Sequence, residues 1–156
     1  MRWSLLNPDQ DKVNSISKTF RTSEVIARIL ANRNILNPDS ANPFFNPNLD
    51  MLHDPYLMQD MDKAVERVLI NINSGAAIMV FGDYDVDGTT GAAALYIALQ
   101  KFGANITYYI PDREKEGYGL SLQSIDIAKD NGIDLIITCD CGINAFAQVQ
   151  YANEQK

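Results

Sequence analysis

The sequence predicts an α/β three-layer domain with a parallel sheet, carrying a helical N-terminal appendage. Three observations point there. From residue 76 onward, apolar runs of strand length alternate three times with longer stretches of helical spacing. Those runs are unbroken, as in strands covered on both faces. The residues before them hold helical periodicities interrupted by prolines. A length of 156 residues allows one domain, or a small domain with an appendage. The boundary is read at 74/75, giving residues 1–74 as the appendage and 75–156 as a βαβαβα unit.

In the appendage, residues 23–34 place Val25, Ile26, Ile29 and Leu30 at helical spacing, and residues 60–73 do the same with Met61, Val65, Val68, Leu69 and Ile72. Between them Pro38, Pro43, Pro47 and Pro55, in the company of Asn and Asp, favour turns and short helical pieces. Trp3, Phe44 and Phe45 are expected to anchor the N-terminal segments to the core. In the second part the expected strands are 76–81 (AAIMVF), 105–110 (NITYYI) and 133–139 (IDLIITC). The expected helices are 89–102, 121–130 and 144–155, with Ser121 and Asn144 as N-caps and Gly103 and Gly132 at left-handed helix ends. There is no internal repeat.

Composition narrows the function classes. Hydrophobic residues at 46% and charged residues at 21% exclude disorder. A net charge of −7 argues against a broadly basic nucleic-acid or membrane surface and leaves room only for a local basic groove. No apolar run is long enough for a membrane span, and the N-terminus lacks a secretory core, so a soluble cytoplasmic protein is expected, with no membrane partner. Cys139 and Cys141 are too close for a structural disulfide and too few for a closed zinc site; they are read as small apolar packing groups. His53, the one imidazole, is read as a surface or turn residue.

Active groups in parallel sheets collect beyond the carboxyl ends of strands. Two places qualify. After the first strand the chain reads Gly82-Asp83-Tyr84-Asp85-Val86-Asp87-Gly88, and after the third it reads Asp140-Cys141-Gly142. Three carboxylates within five residues, with no Lys or Arg in the loop, repel one another unless a cation or hydrogen-bond donors compensate. Hard ions such as Mg²⁺ and Mn²⁺ prefer such oxygens, and Asp140 is placed to share one. The plainer reading is a solvated acidic turn whose aspartates cap the following helix.

Known motifs compete for these residues. An EF-hand loop fails because Ala94 stands where a bidentate Glu is required. A P-loop fails because no Lys follows Gly88. Asp85-Val86-Asp87-Gly88-Thr89 resembles the nucleophile loop of haloacid dehalogenase-like phosphatases, with Asp85 as nucleophile and Asp87 as general acid. That alternative leaves Asp83 without a role.

Taken together, GDYDVDGTT, then PDREKEGYGL at 111–120, then CDCG at 139–142 resemble the N-terminal part of the RecJ single-strand-specific DNA exonucleases, in the DHH phosphoesterase superfamily. The stretch from ILANRNIL to AVERV is similar to them as well. The resemblance implies an incomplete DHH phosphoesterase-like fold and 5′ to 3′ hydrolysis of single-stranded DNA in repair and recombination, beside other DNA-repair proteins. It implies a two-ion Mn²⁺ or Mg²⁺ site in which Asp83, Asp85 and Asp87 form the first metal-binding and catalytic motif and Asp140 the second. Arg113 is then a candidate for a substrate phosphate and Tyr118 for base stacking, against plainer readings as a solvated loop with Glu114 and Glu116 as partners and a packed ring. The Asp-His-His segment that names the superfamily is absent from these residues, so a truncated chain with a partial site and little or no activity of its own is expected; a catalytically inactive binding module is the remaining alternative.

Overall fold

The computed structural model describes residues 2–155. The chain divides into two compact units, Met1–Leu57 and Met58–Lys156. Among the described residues no helix is long and apolar enough to cross a membrane.

The first unit is helical: α1 (Gln10–Phe20), α2 (Glu24–Asn32), α3 (Pro38–Phe45), then single 3₁₀ turns at Leu49–Met51 and Pro55–Leu57. Sequence periodicity gave no sign of α1, because only Val13 and Ile16 of its eleven residues are buried. Its start is set instead by Asp9, whose carboxylate accepts from the backbone N–H groups of Asp11 and Lys12, and its end by Arg21 in the left-handed region. Ser23 caps α2, and Asn37 with Ser40 forms a capping box ahead of Pro38 in α3. The small core joins Val13 and Ile16 to Ala27, Leu30, Ile35 and Ala41. The inward face of α2 is therefore Ala27–Leu30, and Val25, Ile26 and Ile29, expected on the apolar stripe, are exposed. Trp3 is 96% exposed and anchors nothing, contrary to its expected role. Phe44 and Phe45 are half-exposed; their rings meet edge to face, and Phe45 leans on Phe20. His53 lies exposed in irregular chain, as read.

The second unit runs α4 (Met61–Ser74), β1 (Ala77–Gly82), α5 (Val86–Lys101), β2 (Asn105–Tyr109), α6 (Leu122–Asp130), β3 (Leu135–Cys139), α7 (Phe146–Glu154). The division at residues 57 and 58 thus puts α4, read with the appendage from sequence, in the unit that holds the sheet. The strands are parallel in the order β2-β1-β3. β1 is central, and Ile78, Met79, Val80 and Phe81 are all buried, which explains its unbroken apolar run. One face of the sheet is covered by α5; on the other, Phe81, Leu120 and Ile125 pack with Ile136, Ala145, Tyr151 and Ala152 from β3, α7 and the adjoining loop. The two helical layers and the sheet make the three-layer α/β architecture.

Boundaries differ from expectation where caps decide them. α5 begins at Val86, three residues before the expected start at Thr89, because Asp85 caps it. Ser121 forms the capping box expected of it. Asn144 does not cap α7: the N-cap position is Ala145, with no side-chain hydrogen bond. Gly103 and Gly132 adopt φ of 82° and 66°, the left-handed ends anticipated for α5 and α6.

Candidate metal centre

The topology fixes where a site can form. From β1 the chain goes to β2 on one side, then crosses to β3 on the other, so the switch point lies beyond the ends of β1 and β3. Gly82 pairs with Cys139 as the last rung, and the Asp83 N–H donates to the Cys139 carbonyl at 3.3 Å. That register places Asp83 and Asp140, one residue further along each strand, side by side.

Close packing brings the rest of the acidic loop in. A methyl on Gly88 would strike the Asp83 backbone, one on Gly82 the Gly88 carbonyl, and one on Gly91 the Cys139 sulfur. These glycines let α5 start almost on top of the end of β1. Asp83 is 1% exposed, and its Oδ1 receives one long hydrogen bond, from the Gly119 N–H at 3.5 Å. Asp85 Oδ1 accepts from the N–H groups of Asp87 and Gly88 at 3.0 and 3.1 Å, so it does cap α5 as the plainer reading held. Asp87 stands exposed in the first turn of that helix. Asp140 sits at φ 59°, a left-handed conformation that Asp and Asn tolerate better than other side chains.

Electrostatics bind the four into one group. Asp140 is held above its ordinary 3.8, first by lost hydration and then by the charges of Asp85, Asp87 and Asp83. Among the described residues no Lys, Arg or His pairs with any of the four. A buried carboxylate with one long hydrogen bond, beside three others and no basic partner, lacks a positive counter-charge. The donors are all hard oxygens, so Mn²⁺ or Mg²⁺ suits them. Among the described residues no three such groups close around a single point, so these residues form no finished cage.

Cys141 is set apart from the carboxylates by its chemistry. Burial first, and then the Asp83 charge, pushes the Cys141 thiol up to about 11, and its S–H donates to the Cys139 carbonyl. A protonated Cys141 thiol is a poor metal ligand, in keeping with a packing role.

The loop after β2 brings up the candidate substrate groups. Arg113 is exposed, its guanidinium carbon 5.2 Å from the centre of the Tyr84 ring, and among the described residues no carboxylate pairs with it. The glutamates proposed as loop partners behave otherwise. Lys115 pairs with Asp112 at 3.4 Å, while Glu116 accepts from Tyr109 Oη, the Asp112 N–H and Ser121 Oγ at 2.8, 2.9 and 3.0 Å. Glu116 thus ties the loop to β2 and α6, and burial together with Glu116 raises Tyr109 to about 12. Tyr118 is 62% exposed, and its hydroxyl donates to the Asp140 carbonyl at 3.3 Å, joining this loop to the end of β3. Lost hydration and then the charge of Asp140 raise its pKa. The contacts made by Tyr84, Glu116 and the packing glycines are not legible in the sequence. Their partners lie far along the chain or depend on the sheet's register, and only a residue's own neighbours are visible in sequence.

Residues 77–156 match the sequence profile described as "DHH family, N-terminal domain". The chain is 38% identical over 154 residues to the single-stranded-DNA-specific exonuclease RecJ of Bacillus subtilis, covering 99% of this chain and 20% of that protein. It is 40% identical over 96 residues to the RecJ of Escherichia coli, covering 61% and 17%. The chain therefore spans about one fifth of the length of these curated relatives. Among solved structures, exonuclease RecJ bound to manganese aligns with a TM-score of 0.58 at 34% identity, over 62% of this chain and 25% of that one. The RecJ of Thermus thermophilus in complex with Mn²⁺ aligns with a TM-score of 0.63 over 96% of this chain and 20% of its own; at 24% identity that likeness speaks for the fold.

Proposed function

The chain belongs to the DHH family and is RecJ-like in sequence, and from that premise we propose that it supplies the first part of the metal site of a 5′ to 3′ exonuclease acting on single-stranded DNA, serving repair and recombination in the cytoplasm. The observation that carries the reading is the grouping of Asp83, Asp85, Asp87 and Asp140 beyond two adjacent strand ends, with Asp83 buried and, among the described residues, no basic side chain paired with it. Family membership also removes the dehalogenase-like alternative, which needed Asp85 as a nucleophile.

Bound at these aspartates, Mn²⁺ or Mg²⁺ would supply the Lewis acidity that activates water and offsets charge on a phosphoryl oxygen. The protein's share is positioning. Asp83 and Asp140 present oxygens from just beyond two adjacent strand ends. Asp85 orders the first turn of α5 through its cap and so fixes Asp87. Arg113 holds a substrate phosphate through its in-plane N–H groups, and the exposed Tyr118 ring offers a face for a base.

Degradation of 5′-labelled single-stranded DNA with Mn²⁺ or Mg²⁺ tests this. A protein of the relatives' full length that includes this sequence is expected to degrade it and to lose activity on Asp87→Ala. The 156-residue chain, offering four aspartates and no imidazole at the site, is expected to cleave barely, since small misplacement of reacting groups costs on the order of a hundredfold in rate. Activity indifferent to Asp87→Ala, or an inactive full-length protein, would overturn the reading.

A further inference from the structure

Among the described residues Arg113 pairs with no carboxylate, although Tyr84, against which it lies, is flanked in the chain by Asp83 and Asp85. Its backbone is held by a tight turn: Asp112 Oδ1 accepts from the N–H groups of Glu114 and Lys115, and the Glu116 N–H donates to the Asp112 carbonyl at 2.8 Å. What remains free is the long side chain, for which an ion pair with an exposed aspartate would be the obvious resting place. Instead the guanidinium lies over the ring of Tyr84, the half-buried residue between Asp83 and Asp85, at a separation well within cation–π range.

The geometry of a guanidinium makes this choice consequential. Lying over a ring uses none of its hydrogen bonds, and the five N–H donors in its plane stay available. An ion pair with an aspartate would engage those same donors and occupy carboxylate oxygens that a cation needs. We propose that Tyr84 is a positioning residue: its ring keeps the Arg113 guanidinium off the acidic cluster and oriented for a terminal 5′ phosphate of single-stranded DNA. The nature of that ligand rests on the nuclease reading above; the stacking itself does not.

The test uses the 156-residue chain and nuclear magnetic resonance of the Arg113 side chain. Without ligand, the δ-methylene protons are expected to carry an upfield ring-current shift in wild type and Tyr84→Phe, lost in Tyr84→Ala and in Tyr84→Leu, which keeps apolar bulk. Titration with a 5′-phosphorylated thymidine trinucleotide in Mg²⁺ is expected to give an affinity kept by Tyr84→Phe and weakened about two- to fivefold by Tyr84→Ala. The 5′-hydroxyl trinucleotide should be indifferent to Tyr84. Unshifted Arg113 signals in wild type would overturn the stacking. A normal shift with equal affinity for the phosphorylated ligand in wild type and Tyr84→Ala would overturn the positioning role alone. A normal shift with no preference for the 5′ phosphate in any variant would overturn the assigned substrate contact, and the positioning role with it.

Discussion

The two strand ends that deliver the aspartates are built differently. After β1 the chain has three residues before α5 begins; Asp83 is buried, Asp85 caps the helix, and glycines at 82, 88 and 91 bring helix and strand into direct contact. After β3 it has six residues before α7. Asp140 and Gly142 both lie at positive φ, the N-cap Ala145 contributes no side-chain bond, and Ile143 and Phe146 are 89% and 77% exposed. One half of the site is held by packing and hydrogen bonds made locally; the other depends on a single left-handed aspartate and on Tyr118 reaching across from another loop. Preorganisation is concentrated where three of the four carboxylates sit.

The contrast breaks most visibly at the glycines. Gly88→Ala gains roughly 1 kcal/mol of helix propensity but drives a methyl into the Asp83 backbone, which cannot give way, so the overpacking cost falls at about 3 kcal/mol, the upper end of its range, and a net loss of about 2 kcal/mol is expected in chemical denaturation. Gly142→Ala meets nothing closer than 3.8 Å, and only its φ of 67° opposes it, for a loss of about 1 kcal/mol. Equal losses at both sites would erase the distinction.

Caps sharpen it at smaller scale. Asp85→Ala removes the acceptor for two N–H groups and should cost about 1 kcal/mol, whereas Asn144→Ala, at a position that caps nothing, should leave thermal stability unchanged.

The smallest effect is electrostatic. Asp140 is raised above 3.8 in the folded chain, so the folded state binds its proton more tightly than the unfolded state does. Its contribution to stability is complete below pH 3.8 and is lost as pH rises through the folded-state value. Without divalent ions, Asp140→Asn should therefore be more stable than wild type at pH 7, the gain shrinking as pH falls towards 3.8. Denaturation midpoints measured across that range check the sign.

The same contrast marks what the sequence made legible. β1 was readable because a strand buried on both faces is apolar throughout, whereas β2, mostly exposed, and β3, part-buried, were readable only as apolar-rich runs of strand length between helices; Asp83, Asp85, Asp87 and Asp140 stand out as unbalanced charge at strand ends, and their role as ligands is the proposal made above. Helix α1 was not, since its two buried residues leave no period among polar neighbours and a cap at Asp9 does the rest. Ala27 was passed over for Val25 and Ile26 because the helix pairing that selects the inner face is a tertiary event. Tyr84 and Arg113 are 29 positions apart, and nothing local to either announces the stack.

The most direct measurement is calorimetric titration of the 156-residue chain with Mn²⁺. If the four aspartates form one cation site, wild type binds weakly, Asp85→Asn and Asp140→Asn each lower the affinity, and Asn at 140 keeps the fold because it accepts the left-handed backbone. Tight binding untouched by both substitutions would contradict the account.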